Sequence, residues 1–409
     1  MISPLLPLTS LLLGVAFLLL GSGLLNTLLA VRGGVEGFDS QTLGLLGSMY
    51  FVGFLAGTVV GPQLIRQVGH IRAFAFFTAA NACVVLLHEL LPVAWVWALL
   101  RLITGMAMVG LYTTIESWLN SYAAPQQRTQ IFAVYMAVNL GALAVAQQFL
   151  HWSTPDGHVL FAIAALSVCA AVMPVAATRL TQPTLDNARH LPWRALYDKT
   201  PVAFLASLLG GLAQGAFWGL GAVWADRSGM DASGIAWFMS LAIVGGALFQ
   251  WPIGRLTAHV DRGQVITVVS LLAAALALLL LGADGASGTV LLVGFVYGGL
   301  AFAIYPMAVA RMMDRLQPDE VLSGSGSLLL VHGIGAAIGP LIAGSAMDIF
   351  GPDALPVWFA IVEVGLGLVA WVLARRWPAD VDHQTAFVPM VRTASTAFEL
   401  LDPEHETRP

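Results

Sequence analysis

Long blocks of apolar residues fill most of this 409-residue sequence, and polar residues are largely confined to the short segments between them. Leu271 to Leu281, for example, is an unbroken run of Leu and Ala. Only 10% of the residues are charged, whereas soluble domains carry about 25%. This much apolar surface cannot be hidden inside a water-soluble protein, so the sequence predicts a chain that lies within a lipid bilayer.

Twelve of the blocks are long enough to cross a bilayer, which takes about 20 residues of helix. A β-barrel is excluded, because its strands would alternate apolar and polar residues. Helices are the remaining way to satisfy backbone groups in lipid, so we predict an all-α membrane protein. The predicted spans are 7–31, 41–65, 73–91, 93–119, 129–151, 158–178, 201–225, 232–256, 264–282, 288–313, 322–347 and 355–374.

The positions of Lys and Arg predict the orientation. With the N-terminus inside, 15 of the 18 basic residues fall on the cytoplasmic side, and the exceptions are Arg32, Arg101 and Arg227. We therefore expect both termini in the cytoplasm.

A polar segment divides the spans into six and six. The sequence predicts an N-terminal six-helix bundle (1–178), a central cytoplasmic linker (179–200), a C-terminal six-helix bundle (201–376) and a cytoplasmic tail (377–409). The tail is acidic, contains proline and has no apolar pattern, so we expect it to be disordered.

Two loops look alike when the chain is shifted by about 193 residues, as expected of a duplicated half. One loop, Gly61 to Arg72, follows span 2, and the other, Pro252 to Arg262, follows span 8. The same shift places Tyr112 on Tyr305. Duplicated halves are typical of transporters that move two bundles about a site near the middle of the membrane.

Short motifs carry a resemblance to a known family. Gly254-Arg255-Leu256 followed by Asp261-Arg262 resembles the loop signature of the major facilitator superfamily, and Arg101 four residues before Gly105 resembles its second motif. The resemblance covers roughly residues 7 to 376. It implies two pseudo-symmetric six-helix bundles, and a location in the bacterial inner membrane.

Two further runs, Val68 to Arg72 and Glu116 to Asn120, are similar to the YcaD-type bacterial branch. The sequence also departs from the superfamily pattern. Arg66 or a neighbour replaces the usual Asp of the first loop, and Ala258 replaces that of the second. The antiporter motif of span 5 is missing, and a similar run, Gly335 to Pro340, occurs in span 11. Drug/proton antiport is therefore not assigned.

The resemblance implies that helices 1, 4, 7 and 10 line a substrate cavity. Residues of these helices, with two from helices 5 and 11 and one from helix 12, are candidates for binding solute or protons. The alternative is that they serve as polar contacts between helices, worth about 0.6 kcal/mol each. The candidates are Asn26, Arg101, Tyr112, Asn139, Gln214, Trp218, Tyr297, Tyr305, His332 and Glu363.

Two of these candidates carry charge deep in a span. Arg101 lies about 12 Å along helix 4, and it either faces a wet cavity or extends its side chain to the interface. Glu363 lies in the middle of helix 12 and is either a proton site or a structural polar contact.

Charged residues near the cytoplasmic ends predict a gate. We expect Glu116 to pair with Arg66 or Arg72 in one half, and Arg311 to pair with Asp261 in the other. The alternative is a solvated helix end, because exposed ion pairs contribute only about 0–1 kcal/mol.

Glycines at four-residue spacing predict close packing between helices, and we expect these faces to slide during gating. They are Gly53, Gly57, Gly61, Gly335 and Gly339.

These patterns together predict a secondary active transporter that moves a small solute by alternating access. We expect coupling to protons and, on the family resemblance, export. The expected partners are a small-molecule substrate, protons and the lipid bilayer, and the expected state is a monomer. No catalytic residue, metal site, cofactor or nucleic-acid partner is predicted. We do not expect an enzyme, because the nine histidines are scattered and no H-E-x-x-H motif occurs. The alternative is a non-transporting receptor or assembly protein on the same fold.

Overall fold

The computed structural model describes residues 5–122, 127–178, 183, 191–282, 287–377, 385 and 387–390. These residues form fifteen α-helices and no β-strand. The helices are α1 (Leu5–Val35), α2 (Ser40–Val68), α3 (His70–Leu90), α4 (Ala94–Tyr122), α5 (Arg128–Gln148), α6 (Val159–Ala170), α7 (Val172–Ala176), α8 (Trp193–Lys199), α9 (Pro201–Arg227), α10 (Ala232–Leu256), α11 (Arg262–Leu278), α12 (Gly288–Ala301), α13 (Ile304–Met313), α14 (Pro318–Phe350) and α15 (Ala354–Arg376).

Twelve helical stretches in the described ranges can cross a bilayer. Eleven have the length and apolar composition for it, with α6 and α7 forming one stretch and α12 and α13 another. The twelfth is α11, which is apolar and 17 residues long, close to the minimum length for a span. The prediction of an all-α protein with twelve spans is confirmed, and six spans lie on each side of the short helix α8.

Two spans that the sequence predicts as continuous are interrupted. The sixth is broken at Ala171 and the tenth at Phe302 and Ala303. Pro174 and Pro306 explain these breaks, because each lacks the N–H that would bond the carbonyl four residues earlier in the helix.

The second span of each half begins with the same cap. The Asp39 carboxylate accepts a hydrogen bond from the Thr42 N–H at 2.7 Å, and Asp231 accepts one from the Gly234 N–H at 2.7 Å. Hydrogen bonds from Thr42 hold the pKa of Asp39 below its usual range. These caps at equivalent places support the duplication that the loops indicate.

The helix bundle has two ends, one on each side of the membrane, and the loops between the spans lie at these ends. We call the end with the α2–α3 junction at Gly69, the helix α8 and the α10–α11 loop the linker face. The opposite end, with residues 36–39, 91–93 and 228–231, is the far face.

The two halves meet mainly toward the far face. There Gly44 of α2 packs against Pro340 of α14. On the other side, the Ser240 hydroxyl of α10 donates to the Ala144 carbonyl of α5 at 2.8 Å. By contrast, α4 and α13 make little or no close backbone contact within the described ranges. The far face is therefore closed in this conformation.

The predicted packing glycines lie where helices approach most closely within each half. A Cβ on Gly53 would lie 2.0 Å from the Leu102 carbonyl oxygen of α4, and one on Gly339 would lie 2.1 Å from the Leu212 carbonyl oxygen of α9. Gly57 and Gly335 lie at similarly short contacts with α4 and α9, whereas a Cβ on Gly61 would lie 3.2 Å from Cα of Gly110, a looser contact. Only glycine allows these backbones to approach so closely.

The described part of the tail differs from the prediction of a disordered segment. Met390 is buried, and Thr385 and Phe387 pack against the C-terminal half. The rest of the predicted tail after Trp377 lies outside the described residues, as do 179–182 and 184–190 of the predicted linker.

We expect Gly53→Ala to lower the thermal stability of the detergent-purified protein, because the added methyl group overlaps the Leu102 carbonyl. The matched control is Gly365→Ala in α15, where a Cβ meets no atom within 4 Å. This control should leave the Tm unchanged or slightly raised, since alanine favours helix more than glycine does. Equal Tm values for both variants would contradict the packing role of Gly53.

Candidate functional site

A cavity lies between the two halves. It holds about 1110 Å³ of space without protein atoms, part of which is open solvent. Its lining comes from both halves and from the tail. The lining residues are Leu19, Ser22, Gly23, Asn26, Gly47, Tyr50, Phe51, Phe54, Arg101, Thr104, Met108, Tyr112, Leu140, Leu143, Gln214, Trp218, Gly219, Phe302, Tyr305, Pro306 and Met390.

A buried arginine in the cavity wall begins a hydrogen-bonded link between the two halves. Arg101 is 5% exposed, and its Nη2 donates to Oδ1 of Asn26 at 2.8 Å. Asn26 in turn donates from Nδ2 to the backbone carbonyl of Trp218 at 2.8 Å. Since Arg101 and Asn26 belong to the N-terminal half and Trp218 to the C-terminal half, this chain of two hydrogen bonds joins the halves.

Aromatic rings complete the surroundings of the cation. The guanidinium carbon of Arg101 lies 4.6 Å from the centre of the Tyr50 ring, a cation–π contact. Across the cavity Trp218 stacks on Phe302, with ring centres 5.6 Å apart. Among the described lining residues Arg101 is the only charged one. The site therefore offers one cation between flat aromatic surfaces.

The structure brings six of the ten predicted cavity residues together around this space: Asn26, Arg101, Tyr112, Gln214, Trp218 and Tyr305. The other four do not line it. Asn139 donates to the Tyr135 carbonyl of its own helix, and His332 lies behind Tyr305, with ring centres 4.6 Å apart. Tyr297 and Glu363 are buried inside the C-terminal half, away from the cavity lining.

Glu363 is fully buried and forms no ion pair among the described residues. Ser270 of α11 and Tyr297 of α12 lie beside it. Tyr297 stacks on Phe359 of α15, with ring centres 5.2 Å apart. Glu363 is thus enclosed in the core of the C-terminal half.

A cluster of rings connects the surroundings of Glu363 to the cavity wall. The Phe217 ring centre lies 6.4 Å from that of Tyr297 and 5.9 Å from that of Trp218. Phe217 is also 5.2 Å from Phe302. A displacement of Tyr297 would therefore be transmitted by direct contact to the cavity wall.

Sequence reasoning missed several lining residues. Tyr50 lies in span 2, which the resemblance does not assign to the cavity, and Phe302 lies at the helix break that the sequence did not predict. One feature of the sequence could have indicated Tyr50. A buried arginine in span 4 needs a partner at the same depth in a neighbouring span.

The two motifs that are similar to the YcaD-type branch touch each other. Nε2 of His70, in the first motif, lies 3.0 Å from the Ser117 hydroxyl in the second. The His70 ring also packs on Trp118, with centres 5.7 Å apart. The two short runs therefore form one contact between α3 and α4.

Comparisons with known proteins agree with this architecture. The family description Major Facilitator Superfamily matches residues 203–399. An uncharacterized MFS-type transporter of Enterobacter sp. (strain 638) is 26% identical over 381 residues, covering 92% of this chain and 98% of the relative. The uncharacterized MFS-type transporter YcaD of Escherichia coli O139:H28 is 26% identical over 386 residues, with the same coverage.

Solved structures share the fold. The nucleoside transporter NupG superposes with a TM-score of 0.74 at 17% identity, covering 93% of this chain and all of NupG. The human organic anion transporter MFSD10 (TETRAN) superposes with a TM-score of 0.62 at 16% identity, covering 91% and 100%. The chain is similar to the YcaD-type transporters of the major facilitator superfamily. Its C-terminal half matches the family description, and its fold is shared with these solved membrane transporters.

The α10–α11 loop of the C-terminal half, which carries the motif that resembles the superfamily signature, is held by buried ion pairs. Arg311 pairs with Asp261 at 3.0 Å, and Asp261 also caps α11 by accepting from the Gly263 N–H at 2.8 Å. Beside it, Arg262 pairs with Asp314 at 2.5 Å. The structure thus brings Asp261 and Arg311 together and adds a second pair that the sequence did not suggest.

The corresponding loop of the N-terminal half, between α2 and α3, is arranged differently. Within the described ranges neither Arg66 nor Arg72 forms an ion pair, and both side chains are exposed. Glu116 is buried and accepts a hydrogen bond from the Tyr135 hydroxyl at 3.0 Å. The structure does not join Glu116 to either arginine, because α4 directs the carboxylate toward α5.

Proposed function

We propose that this chain is a secondary active transporter for a small amphipathic anion, such as an aromatic carboxylate, and that it works by alternating access. The observation that carries the proposal is the Arg101–Asn26–Trp218 link, which places one buried cation between aromatic surfaces at the junction of the two halves. The fold and the similarity to the major facilitator superfamily support transport in general. We infer the class of solute from the chemistry of this cavity.

The chemistry of the cation suggests how the solute binds. A guanidinium has five N–H donors in a plane and binds a carboxylate through two parallel hydrogen bonds. Arg101 uses Nη2 for Asn26, and the solute carboxylate replaces or shares that bond. The aromatic part of the solute then lies against Tyr50 or the Trp218–Phe302 pair.

Binding of the anion changes the balance between conformations. When the carboxylate competes with Oδ1 of Asn26 for Arg101, Asn26 is no longer held in the position from which it donates to Trp218. The hydrogen-bonded connection between the halves weakens, and the equilibrium shifts toward a state in which the far face is open. Such a shift requires only that the solute bind one state more tightly than the other.

Protons supply the driving force in this proposal, and Glu363 is the residue that takes them up. A buried carboxylate without a cationic partner is costly in its ionised form. Ionisation therefore requires movement of the groups around Glu363, and the ring cluster of Tyr297, Phe217 and Trp218 carries that movement to Asn26.

We also propose that the linker face is cytoplasmic and that the chain lies in the bacterial inner membrane. Basic residues are concentrated at the linker face, among them Arg66, Arg72, Arg255, Arg262 and Arg315, which agrees with the preference of Lys and Arg for cytoplasmic loops. Each chain contains a complete cavity, so a monomer suffices for transport.

Arg101→Gln is expected to weaken binding of salicylate, benzoate or indole-3-acetate by about 10–100-fold, the value of one or two hydrogen bonds to a charged group. Arg101→Lys should retain part of the affinity, because it keeps the charge but not the planar set of donors. The measurement is counterflow of the labelled acids in proteoliposomes, with the exposed Arg72→Gln as control. Normal counterflow by Arg101→Gln, or transport of neutral solutes alone, would contradict an anionic solute.

Glu363→Gln should abolish accumulation driven by a pH gradient while counterflow of the same acid continues, because glutamine has the shape of the acid but does not release a proton. Asp353→Asn is the control, since Asp353 is an exposed carboxylate at the start of the same helix. If the Glu363→Gln protein still accumulates solute with the gradient, Glu363 is not the coupling site. An imposed gradient of either direction also shows whether the transporter exports or imports.

A further inference from the structure

A segment of the tail, Thr385 and Phe387–Met390, lies at the linker face against the C-terminal half. We call it the docked tail segment. It returns after the last span to helices α10, α11 and α13 and reaches the cavity described above. None of the transport steps proposed so far uses this segment.

The first anchor of the docked tail segment is the buried ion pair between Arg262 and Asp314. Thr385 donates to Oδ1 of Asp314 from its backbone N–H and from its hydroxyl, each at 2.9 Å. Arg262 donates to the Thr385 carbonyl. The residues that form the buried pair thus also bind the tail backbone.

The second anchor is an aromatic ring in a slot that only glycine leaves open. A Cβ on Gly254 would lie 2.3 Å from Cδ1 of Phe387. Because Gly254 has no side chain, there is space for the Phe387 ring at this position. Gly254 is also the first residue of the motif Gly254-Arg255-Leu256.

The third anchor places Met390 in the cavity. The Met390 N–H donates to Oε1 of Gln250 at 2.8 Å, and its side chain is only 4% exposed. Met390 lines the cavity together with Tyr112 of α4 and Tyr305 of α13. It therefore fills space where α4 and α13 lack close backbone contact.

From these three anchors we propose that the docked tail segment is a plug that closes the linker-face mouth of the cavity. Thr385 and Phe387 hold it on the C-terminal half, and Met390 blocks the passage between the halves. While it is docked, solute does not leave or enter at this face, and the two halves cannot approach each other there. Transport requires the segment to undock. The biological meaning of the plug rests on the proposed transport function, but its existence does not.

The test measures access to the cavity without any solute. Cys83 and Cys169 are exposed, so both are first replaced by serine, and Ser22→Cys is introduced as a reporter in the cavity lining. The purified full-length protein is treated with fluorescein maleimide, and the modification rate at position 22 is followed by mass spectrometry.

Thr385→Val combined with Phe387→Ala removes two anchors that lie outside the cavity lining. Because labelling follows the fraction of time that the segment is undocked, we expect a rate about tenfold higher than with the intact tail. Pro389→Ala is the matched control, since Pro389 is exposed within the same segment, and its rate should equal that of the unaltered tail. Equal rates in the double variant and the control would overturn the plug.

A disulfide keeps the proposal testable if the double variant is unstable. Gly254→Cys and Phe387→Cys face each other across the second anchor, so oxidation locks the segment in place. Labelling at position 22 should fall on oxidation and recover on reduction. Labelling that is as fast in the locked as in the reduced protein would also overturn the plug. Neither readout depends on flux, so failure of the plug and failure of the transport proposal are distinguishable.

Discussion

The guanidinium of Arg101 is the group on which the arrangement of the central cavity depends. A charge at this depth is costly unless polar or aromatic groups surround it. Asn26 and Tyr50 supply these contacts within the N-terminal half. Because the side-chain amide oxygen of Asn26 accepts a hydrogen bond from Arg101, the amide nitrogen is oriented toward the Trp218 carbonyl of the other half. The group that stabilises the buried Arg101 cation thus also forms the hydrogen bond between the two halves.

Packing around this link is divided between rigid and adjustable parts. Within each half, glycine contacts such as Gly53 on α4 and Gly339 on α9 hold backbones close together. Between halves, the described contacts toward the far face include small residues and hydrogen bonds, among them Ser240 to Ala144 and Arg227 to Ser40. Two rigid bodies joined by hydrogen bonds and small residues can separate at one end without losing their own cores, as alternating access requires.

The two halves share a backbone plan but differ in electrostatics. Asp261 and Arg311 form a buried ion pair in the C-terminal half, whereas Glu116 of the N-terminal half accepts a hydrogen bond from the neutral Tyr135 hydroxyl. Breaking a buried ion pair costs about 3–5 kcal/mol. The loop of the C-terminal half is firmly fixed by this pair, and it is also the loop on which the tail docks.

The spans could be predicted from the sequence because the bilayer imposes both their length and their composition. The helix breaks at Ala171 and Phe302 were missed, since a proline in a span does not always interrupt the helix, as Pro62 and Pro252 show. Arg101 was found from its depth in span 4 and from the motif that it forms with Gly105. Its partner Tyr50 was not, because sequence spacing does not say which neighbouring helix a side chain meets.

The docked tail segment was missed for a different reason. Phe387 and Met390 are isolated apolar residues in a polar stretch, without the periodicity that marks a packed element. Their docking depends on surfaces far away in the sequence, such as the slot at Gly254. A composition-based prediction of disorder has no access to those surfaces.

The central claim is that the Asn26 link holds the two halves closed at the far face. Pulsed electron paramagnetic resonance tests it with spin labels at the exposed positions Val35 and Phe350 of the far face, and at Gln67 and His259 of the linker face. In Asn26→Ala we expect a new population with a longer Val35–Phe350 distance and a shorter Gln67–His259 distance than in the unaltered protein. Identical distance distributions in the two proteins would contradict the claim.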